Sequence, residues 1–597
     1  MRKPLSKDME SHGEELLGIG GMPCRGNRTE LPNDTFSVSG MLQSNAIIQN
    51  SLDGTRSVPV SGMLQGRLEE EMHKVVTPVR TTLLRKLLDG FDGSGALIDG
   101  FTNGFKFHFQ GIECEVKSKN SMEANIHPEA VDAKLKKEID LGRIAGPFDH
   151  PPFPNFKCSP LSLREKSEPG TYRLLHNLSY PYDTTSVNGG INQEHKTVKY
   201  ASVQTAIKHI NKLGQGCFMA KADIEAAYRI VPIAPEQYHL LGFKWRGKFY
   251  HDKFLPMGMA ESCSLFEKIS DSIVHIMRKF GINNVVKVLD DFLILAPTKG
   301  ECDLALNKFK FLCQSVGIPL VKAKTSERSE QQLVFLGVHL DTVKMVARLP
   351  ADKLARYSRD AKAFLNQSTT SLKQLQSLIG KLQFATSVIP IGKPFLRRLI
   401  DATKGLSGPS TIEINQGMLA DIKMWQAFLE GYNGVSVITR NPPCENSSIN
   451  LYSDASDLGY AGTFGSSWIQ GKWNVKWQSL NIAVRELYPI VAVIGMFGHL
   501  CKNQSIIFHC DNQAIVASIN KHSAKNPTIM ILLRPLILSL MLNNVKFTSV
   551  YIKSKDNVLA DAISRFQEDE EMLKSYGMKP LPLQVPDHLR PEEMVPG

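Results

Sequence analysis

The sequence predicts a multidomain chain of mixed α+β and α/β type, and three observations carry that reading. The chain has 597 residues with 42% hydrophobic content, ample for several domains with more than one core. Apolar strands that end on aspartates occur in two separate regions, around residues 223 and 290 and again after residue 449. Between them, from 344 to 404, lies a helical stretch with 12 Lys/Arg against 3 Asp/Glu. A surplus of that size is an electrostatic footprint for phosphate backbones, with a solvated basic helix face as the plainer alternative.

Residues 1–65 are polar and rich in Gly, Ser and Asn, which predicts disorder. Val38-Ser39-Gly40-Met41-Leu42-Gln43 recurs there as Val60-Ser61-Gly62-Met63-Leu64-Gln65, either as a short binding motif or as a local duplication. Residues 66–94 form a lead-in whose Leu68, Met72, Val75 and Val76 fall at helical spacing within a pattern running to 88. From 95 to 343 short strands alternate with helices such as 128–141. The basic helical segment 344–404 follows, then a connector at 405–448 with the turn-forming runs Gly431-Tyr432-Asn433-Gly434 and Asn441-Pro442-Pro443. A further domain occupies 449–566. Residues 567–597 read as a linker or tail, because the last 32 residues hold five prolines and seven acidic residues against three basic ones.

The most informative local feature is Asp290-Asp291 in the middle of the apolar run Val285-Val286-Lys287-Val288-Leu289-Asp290-Asp291-Phe292-Leu293-Ile294-Leu295. Such a run predicts two short buried strands meeting at a tight turn. Ionised side chains there need a positive partner. Taken alone, the pair also fits a solvated hairpin turn. A second acidic strand end, Phe218-Met219-Ala220-Lys221-Ala222-Asp223, changes the balance. If the two strands are neighbours in one sheet, Asp223 and Asp290 can hold two magnesium ions about 4 Å apart, the arrangement of nucleotidyl transfer.

Between these acids runs Phe254-Leu255-Pro256-Met257-Gly258-Met259-Ala260-Glu261-Ser262, a Pro/Gly loop feeding an amphipathic stretch from 263 to 280. The order of the three motifs, with Leu-Asp-Asp at the turn, resembles the palm of a reverse transcriptase, a right-hand polymerase of fingers, palm and thumb. The resemblance extends downstream through Gly317-Ile318-Pro319-Leu320, Lys324 and Phe335-Leu336-Gly337, and upstream through Ser159-Pro160-Leu161 and Tyr172-Arg173-Leu174-Leu175. It implies metal binding by Asp223 and Asp290 with Asp291 in support. It further implies Arg173 over the incoming triphosphate, Lys324 at the departing phosphates, and Tyr228 as a gate under the sugar. Met257 stands where many retroviral relatives carry glutamine beside that sugar.

Gln376, Gly380 and Phe384 share one helix face at i, i+4 and i+8. In the family this face resembles the track along the minor groove of template-primer. A core phenylalanine and a helix-packing glycine are the alternative. Lys381 and Arg397 are the expected phosphate contacts of the basic segment.

Downstream, Asp454 ends the strand from 449, Glu486 opens an apolar helix, Asp511 follows the strand 505–510, and Asp561 lies in Asn557-Val558-Leu559-Ala560-Asp561-Ala562. Each acid alone is as well explained by a cap or a surface charge. Together they resemble the Asp-Glu-Asp-Asp set of ribonuclease H on a mixed β-sheet, which implies a second two-metal site. Many members place a histidine ten residues before the last aspartate, where this chain has Tyr551. Gly142-Arg143-Ile144-Ala145-Gly146-Pro147-Phe148 and Ser186-Val187-Asn188 are most similar to DIRS-type retrotransposons, which carry a tyrosine recombinase. The resemblance covers about residues 95–566.

It implies an RNA-directed DNA polymerase with ribonuclease H activity that uses two Mg2+ per site, with Mn2+ able to substitute. The implied partners are an RNA template, a DNA primer, an RNA/DNA hybrid and dNTPs, with any recombinase encoded elsewhere in the element. A decayed or host-adopted copy that binds nucleic acid without chemistry is the competing reading. An RNA polymerase would favour a small residue in place of Tyr228. The ten cysteines include no Cys-x-x-Cys pair, no apolar stretch reaches about 18 uninterrupted residues, and the first residues carry no hydrophobic segment. These features predict an unsecreted protein of the cytoplasm or nucleus with no membrane partner.

Overall fold

The structure is a computed structural model that describes residues 75–166, 168, 170–431, 433 and 448–594. The expected disorder and repeat of 1–65 lie outside the described residues. The lead-in departs from expectation, because Val75 and Val76 are not helical and the first described helix is Thr81–Leu87. Pro78, which has no N–H to donate, precedes it. The helix docks on the palm, where Arg80 N–H donates to Val316 O at 2.8 Å and Leu84 and Leu88 are buried.

The fingers combine the helix Pro128–Asp140, opened by a proline at its first turn, with β1 (Ile144–Phe148) and the antiparallel hairpin of β2 (Leu161–Glu165) and β3 (Tyr172–His176). Val131, Leu135, Leu161, Leu163, Phe243 and Trp245 form their small core. The palm begins with β4 (Phe218–Asp223). The chain then returns through β5 (Gly242–Trp245) and β6 (Lys248–Asp252) to make the sheet β1-β6-β5 with the fingers.

After the palm helix Ser262–Lys279 come β7 (Val285–Val288) and β8 (Asp291–Ala296), which complete the antiparallel sheet β4-β8-β7. Phe292 and Ile294 pack on one face with the helices Ser262–Lys279 and Lys299–Val316, while Leu293 and Leu295 pack on the other with the thumb. Burial on both faces is why this strand reads as an unbroken apolar run rather than an alternating one.

The hairpin of β9 (Gln332–Phe335) and β10 (Val338–Asp341) joins β11 (Val346–Arg348) in the sheet β11-β10-β9, so the expected boundary at 343 cuts one sheet. That sheet shares a core with the thumb helices Ala351–Phe364 and Leu372–Ala385, the latter capped by Ser371 and Gln374 in a capping box. The strands β12 (Thr369–Ser371) and β13 (Thr411–Glu413) pair beside them. The connector's expected run Asn441-Pro442-Pro443 lies outside the described residues, and most of the described connector is helix or strand. Its helix Gln416–Gly431 buries Trp425 and Phe428 in the same core.

The last domain holds β14 (Ile449–Ala455), β15 (Gly459–Phe464), β16 (Ser467–Lys472), β17 (Ser505–Cys510) and β18 (Lys546–Tyr551) in the order β16-β15-β14-β17-β18, with β14, β17 and β18 parallel. Helices Ile482–Phe497 and Pro527–Leu542 pack against each other over this core. The segment Ile482–Cys501 is long and apolar enough to cross a membrane, a feature not apparent from uninterrupted apolar runs, but 67% of it is buried inside the domain.

The proline-rich acidic end also departs from expectation, since its described residues are no free tail. Leu573, Val585 and Leu589 are buried, the Trp477 indole N–H donates to Pro591 O, and that of Trp468 donates to Lys579 O, both at 2.8 Å. Proline and acidic content masked a sparse set of apolar anchors. Removing 567–597 is expected to cost this domain on the order of 5 kcal/mol through newly exposed apolar surface and two stranded indole donors. A red-shifted tryptophan emission and a lower urea midpoint would show it; unchanged unfolding would mark the segment as dispensable.

Candidate active sites

Asp223, the last residue of β4, lies directly across from Asp291, the first residue of β8. Asp290 occupies the two-residue turn before it, next to Leu289 at φ 53°. The Asp290 carbonyl accepts Ile224 N–H at 3.0 Å and the Asp223 carbonyl accepts Val321 N–H at 2.8 Å, so main-chain bonds fix the cluster. Like charges opposite one another on neighbouring strands are destabilising. Lys324 Nζ donates to Asp223 Oδ2 at 2.9 Å and so offsets one of the three carboxylates. Burial, and then Asp223, raises Asp290 above the usual carboxylate range. Burial, followed by Asp290 and Asp223, pushes Asp291 up to about 6. This unbalanced acidic set fits a divalent cation.

The three acids and Lys324 line a cleft of about 390 Å³, together with Phe335, Leu336, Gly337 and Lys353. Lys353, which sequence reasoning did not single out, donates to Gly337 O at 3.1 Å and stands 4.3 Å over the Phe384 ring. Gly337 has φ +75°, a left-handed conformation that favours glycine at the end of the Phe335-Leu336-Gly337 turn. No local sequence signal marks Lys353, because its partners come from two other elements.

Arg173 and Met257 line a second cavity of about 240 Å³ that also takes in Lys166 and Arg229. Lys166 was not singled out either, although a lysine flanking a β-hairpin that bears Arg173 is a readable cationic pair. The Met257 loop is stitched to the fingers. Met257 O accepts His176 N–H at 3.1 Å, and Asn188 binds Gly258 O and Ala260 N–H, both at 2.8 Å. Buried Arg229 bonds Glu138 at 2.8 Å and Asp252 at 2.7 Å, tying the fingers helix to the palm. Tyr228, half-buried, sits in the 3-10 turn Ala227–Ile230 beyond Asp223.

On the thumb, Gln376 and Gly380 are exposed, with open space where a Gly380 Cβ would stand, while Phe384 is half-buried beneath Lys353. Lys381 pairs with Asp360 at 2.7 Å and Arg397 with Asp401 at 2.6 Å, because thumb acids lie within reach. Arg359, Lys362 and Lys373 are exposed.

The second acidic set assembles on the mixed sheet. Asp454 is buried on β14 and accepts Ser564 Oγ–H at 2.6 Å. Asp511 follows β17 and accepts Ser554 Oγ–H at 2.9 Å, while its Oδ1 is buried without a hydrogen-bond partner. Asp561 pairs with Arg565 at 2.8 Å. Glu486 comes from the helix Ile482–Phe497, and a ligand atom from each of Glu486, Cys510 and Asp511 lies within 4.8 Å of the others. Burial, then Asp511 and Asp454, pushes Glu486 up to about 8, and burial, with Asp511 and Asp561, pushes Asp454 up to about 6. Here too the residues fit a divalent cation. Tyr551 is the exposed last residue of β18, opposite Cys510.

A carboxyl whose folded value lies above its unfolded one takes up protons on folding. Its stabilising effect is full below the unfolded value and disappears as pH rises to the folded one. For Glu486 that window runs from 4.5 to about 8. Without divalent cation, the thermal midpoint of the last domain should fall across that range. Glu486→Gln should flatten the slope, and Mg2+ at pH 8 should raise the wild-type midpoint more than the variant's. Equal slopes in scanning calorimetry would remove Glu486 as the source.

Residues 165–340 match the family described as reverse transcriptase (RNA-dependent DNA polymerase). The chain is 28% identical over 218 residues to the Pro-Pol polyprotein of simian foamy virus type 1, covering 36% of this chain and 18% of that polyprotein. It is 22% identical over 380 residues to the genome polyprotein of Petunia vein clearing virus, covering 62% of this chain and 16% of that one. To the Gag-Pro-Pol polyprotein of human T-cell leukemia virus 2 it is 24% identical over 299 residues, covering 47% and 18%. The chain thus spans less than a fifth of the length of these relatives. The foamy viral protease-reverse transcriptase dRH in complex with ds DNA aligns with a TM-score of 0.46 at 13% identity, over 84% of each chain. The chain therefore contains a reverse transcriptase domain, at residues 165–340, of the kind found in retroviral polyproteins.

Proposed function

We propose that the chain is an RNA-directed DNA polymerase joined to a ribonuclease H, part of a DIRS-type retrotransposon whose recombinase is encoded elsewhere. The observation that carries the polymerase is the meeting of Asp223, Asp290 and Asp291 at one end of the palm sheet, in a cleft shared with Lys324 and the β9–β10 turn. Asp223 and Asp290 would hold two Mg2+, or Mn2+ in their place, with Asp291 in support. Bound there, the ions activate a primer 3′-hydroxyl and stabilise the leaving pyrophosphate. Arg173 and Lys166 bind the dNTP phosphates, Lys324 neutralises the departing charge, and Tyr228 excludes a 2′-hydroxyl. Gln376, Gly380 and Phe384 follow the minor groove of template-primer.

The second site would hold two ions with Asp454, Glu486, Asp511 and Asp561 and cut the RNA strand of an RNA/DNA hybrid, recognised by groove shape and 2′-hydroxyls. All seven acids stand in assembled clusters, which favours an enzyme over a decayed binding copy. The eight described cysteines are all free, in keeping with a reducing cytoplasm or nucleus.

Primer extension on poly(rA) with Mg2+ tests the reading. Asp290→Asn should slow extension by on the order of 10³-fold while template-primer binding stays near wild type. Extension retained in that variant would sink the two-metal assignment. Asp454→Asn should stop cleavage of the RNA strand while extension continues, and Tyr551→His should raise multiple-turnover cleavage without changing the first turnover. Hybrid left intact by the unmutated protein with either Mg2+ or Mn2+ would remove the nuclease claim. Replacing Arg359, Lys362 and Lys373 by alanine should reduce the salt slope of template-primer binding by about 0.9 for each phosphate no longer neutralised. An unchanged slope would move the nucleic-acid channel elsewhere.

A further inference from the structure

Tyr228 is held by a contact that none of the motifs above accounts for. Ala226 takes φ 50°, and this left-handed step leads the 3-10 turn Ala227–Ile230 toward the start of the palm helix. There the Tyr228 hydroxyl lies 3.1 Å from Cys263 Sγ, with either atom able to donate. The ring meets Phe266 edge-on, centroids 5.8 Å apart. Burial, and then the same thiol, raise the Tyr200 phenol above its ordinary range.

Cys263 itself stands on a fixed mount. It is the second residue of the helix Ser262–Lys279, and Ser262 Oγ donates to Pro256 O at 3.0 Å. The loop ahead is held through Met257, Gly258 and Ala260 to His176 and Asn188. Tyr228, by contrast, rests on a four-residue turn, and Cys263 is the polar contact at the tip of its ring.

We propose that Cys263 is a positioning residue for nucleotide selection: its thiol holds the Tyr228 hydroxyl and so sets where the ring stands beneath the incoming sugar. The inference rests on the reading of Tyr228 as the gate. A filter that works by van der Waals exclusion of one hydroxyl depends on ring position to a fraction of an ångström, so a tether at the ring's tip bears on discrimination. A thiol is a weak hydrogen-bonding partner, so the effect is graded rather than all-or-none.

The test is single-turnover incorporation of matched dNTP and rNTP by the full chain, with thermal midpoints as the folding control. Cys263→Ala should reduce the preference for dNTP over rNTP about two- to five-fold, the range of one modest hydrogen bond. Cys263→Ser, which keeps a hydrogen-bonding group, should recover most of it. In a Tyr228→Phe background, where the hydroxyl is gone, Cys263→Ala should change nothing further. An equal loss in that background would assign the effect to packing and overturn the proposal, as would wild-type discrimination in Cys263→Ala. Tyr228→Ala separates the two levels. If it leaves discrimination intact, the gate reading fails and the inference with it. If it relaxes discrimination while Cys263→Ala does not, only the role of the thiol fails.

Discussion

Crowding of carboxylates in partly buried clusters is the constraint around which both acidic sites of the molecule are built. Two unit charges about 4 Å apart repel by roughly 4 kcal/mol at an effective dielectric near 20, a large fraction of a domain's net stability. Protonation relieves part of it: burial first, and then the neighbouring carboxylates, pushes Asp291 of the palm, directly opposite Asp223, up to about 6 and Glu486 of the last domain up to about 8. Lys324 and Arg565 offset single charges and leave both clusters short of cations. Such an arrangement persists only where the surrounding fold over-determines it.

That over-determination is visible in how each acid is mounted. The palm acids sit at the end of a sheet buried on both faces, with fully buried Phe292 and Leu293 immediately behind them. Their carbonyls take N–H groups from Ile224 and Val321, so backbone hydrogen bonds absorb strain that the side chains create. The acids of the last domain come from a central strand, a buried helix, a strand end and a short helix beyond β18. Holding these four sources together takes the whole mixed sheet and the segment beyond 566, whose carbonyls satisfy Trp468 and Trp477.

Charge pairing also links regions distant in sequence. Arg229 binds Glu138 of the fingers helix and Asp252 beside His176, and buried Asp421 takes Arg398 at 2.9 Å and Arg534 at 3.5 Å. The latter set joins the thumb, the connector helix and the helix Pro527–Leu542. Removing one member of a buried set strands its partners, which costs more than the set contributes to stability. These networks favour a fixed relation between neighbouring elements.

Several features were legible from order and composition alone. The strand pair around Asp290-Asp291, the strand ending at Asp223, the palm helix and the helix that carries Gln376, Gly380 and Phe384 follow from apolar runs, turn residues and helical spacing, all of which are local. The acids could be picked out because a carboxylate in an apolar setting is costly wherever the chain goes. Partnership was not legible. Lys353 between Gly337 and Phe384, the thiol of Cys263 at Tyr228, and the pairing of Lys381 and Arg397 with Asp360 and Asp401 depend on which elements the fold brings together. Composition misled where burial is sparse: the acidic, proline-rich end reads as solvent-facing, yet three apolar anchors and two carbonyls that accept tryptophan N–H groups bind it to the core. Local propensity is written residue by residue, whereas contact energy belongs to pairs distant in sequence, and only the tertiary structure chooses those pairs.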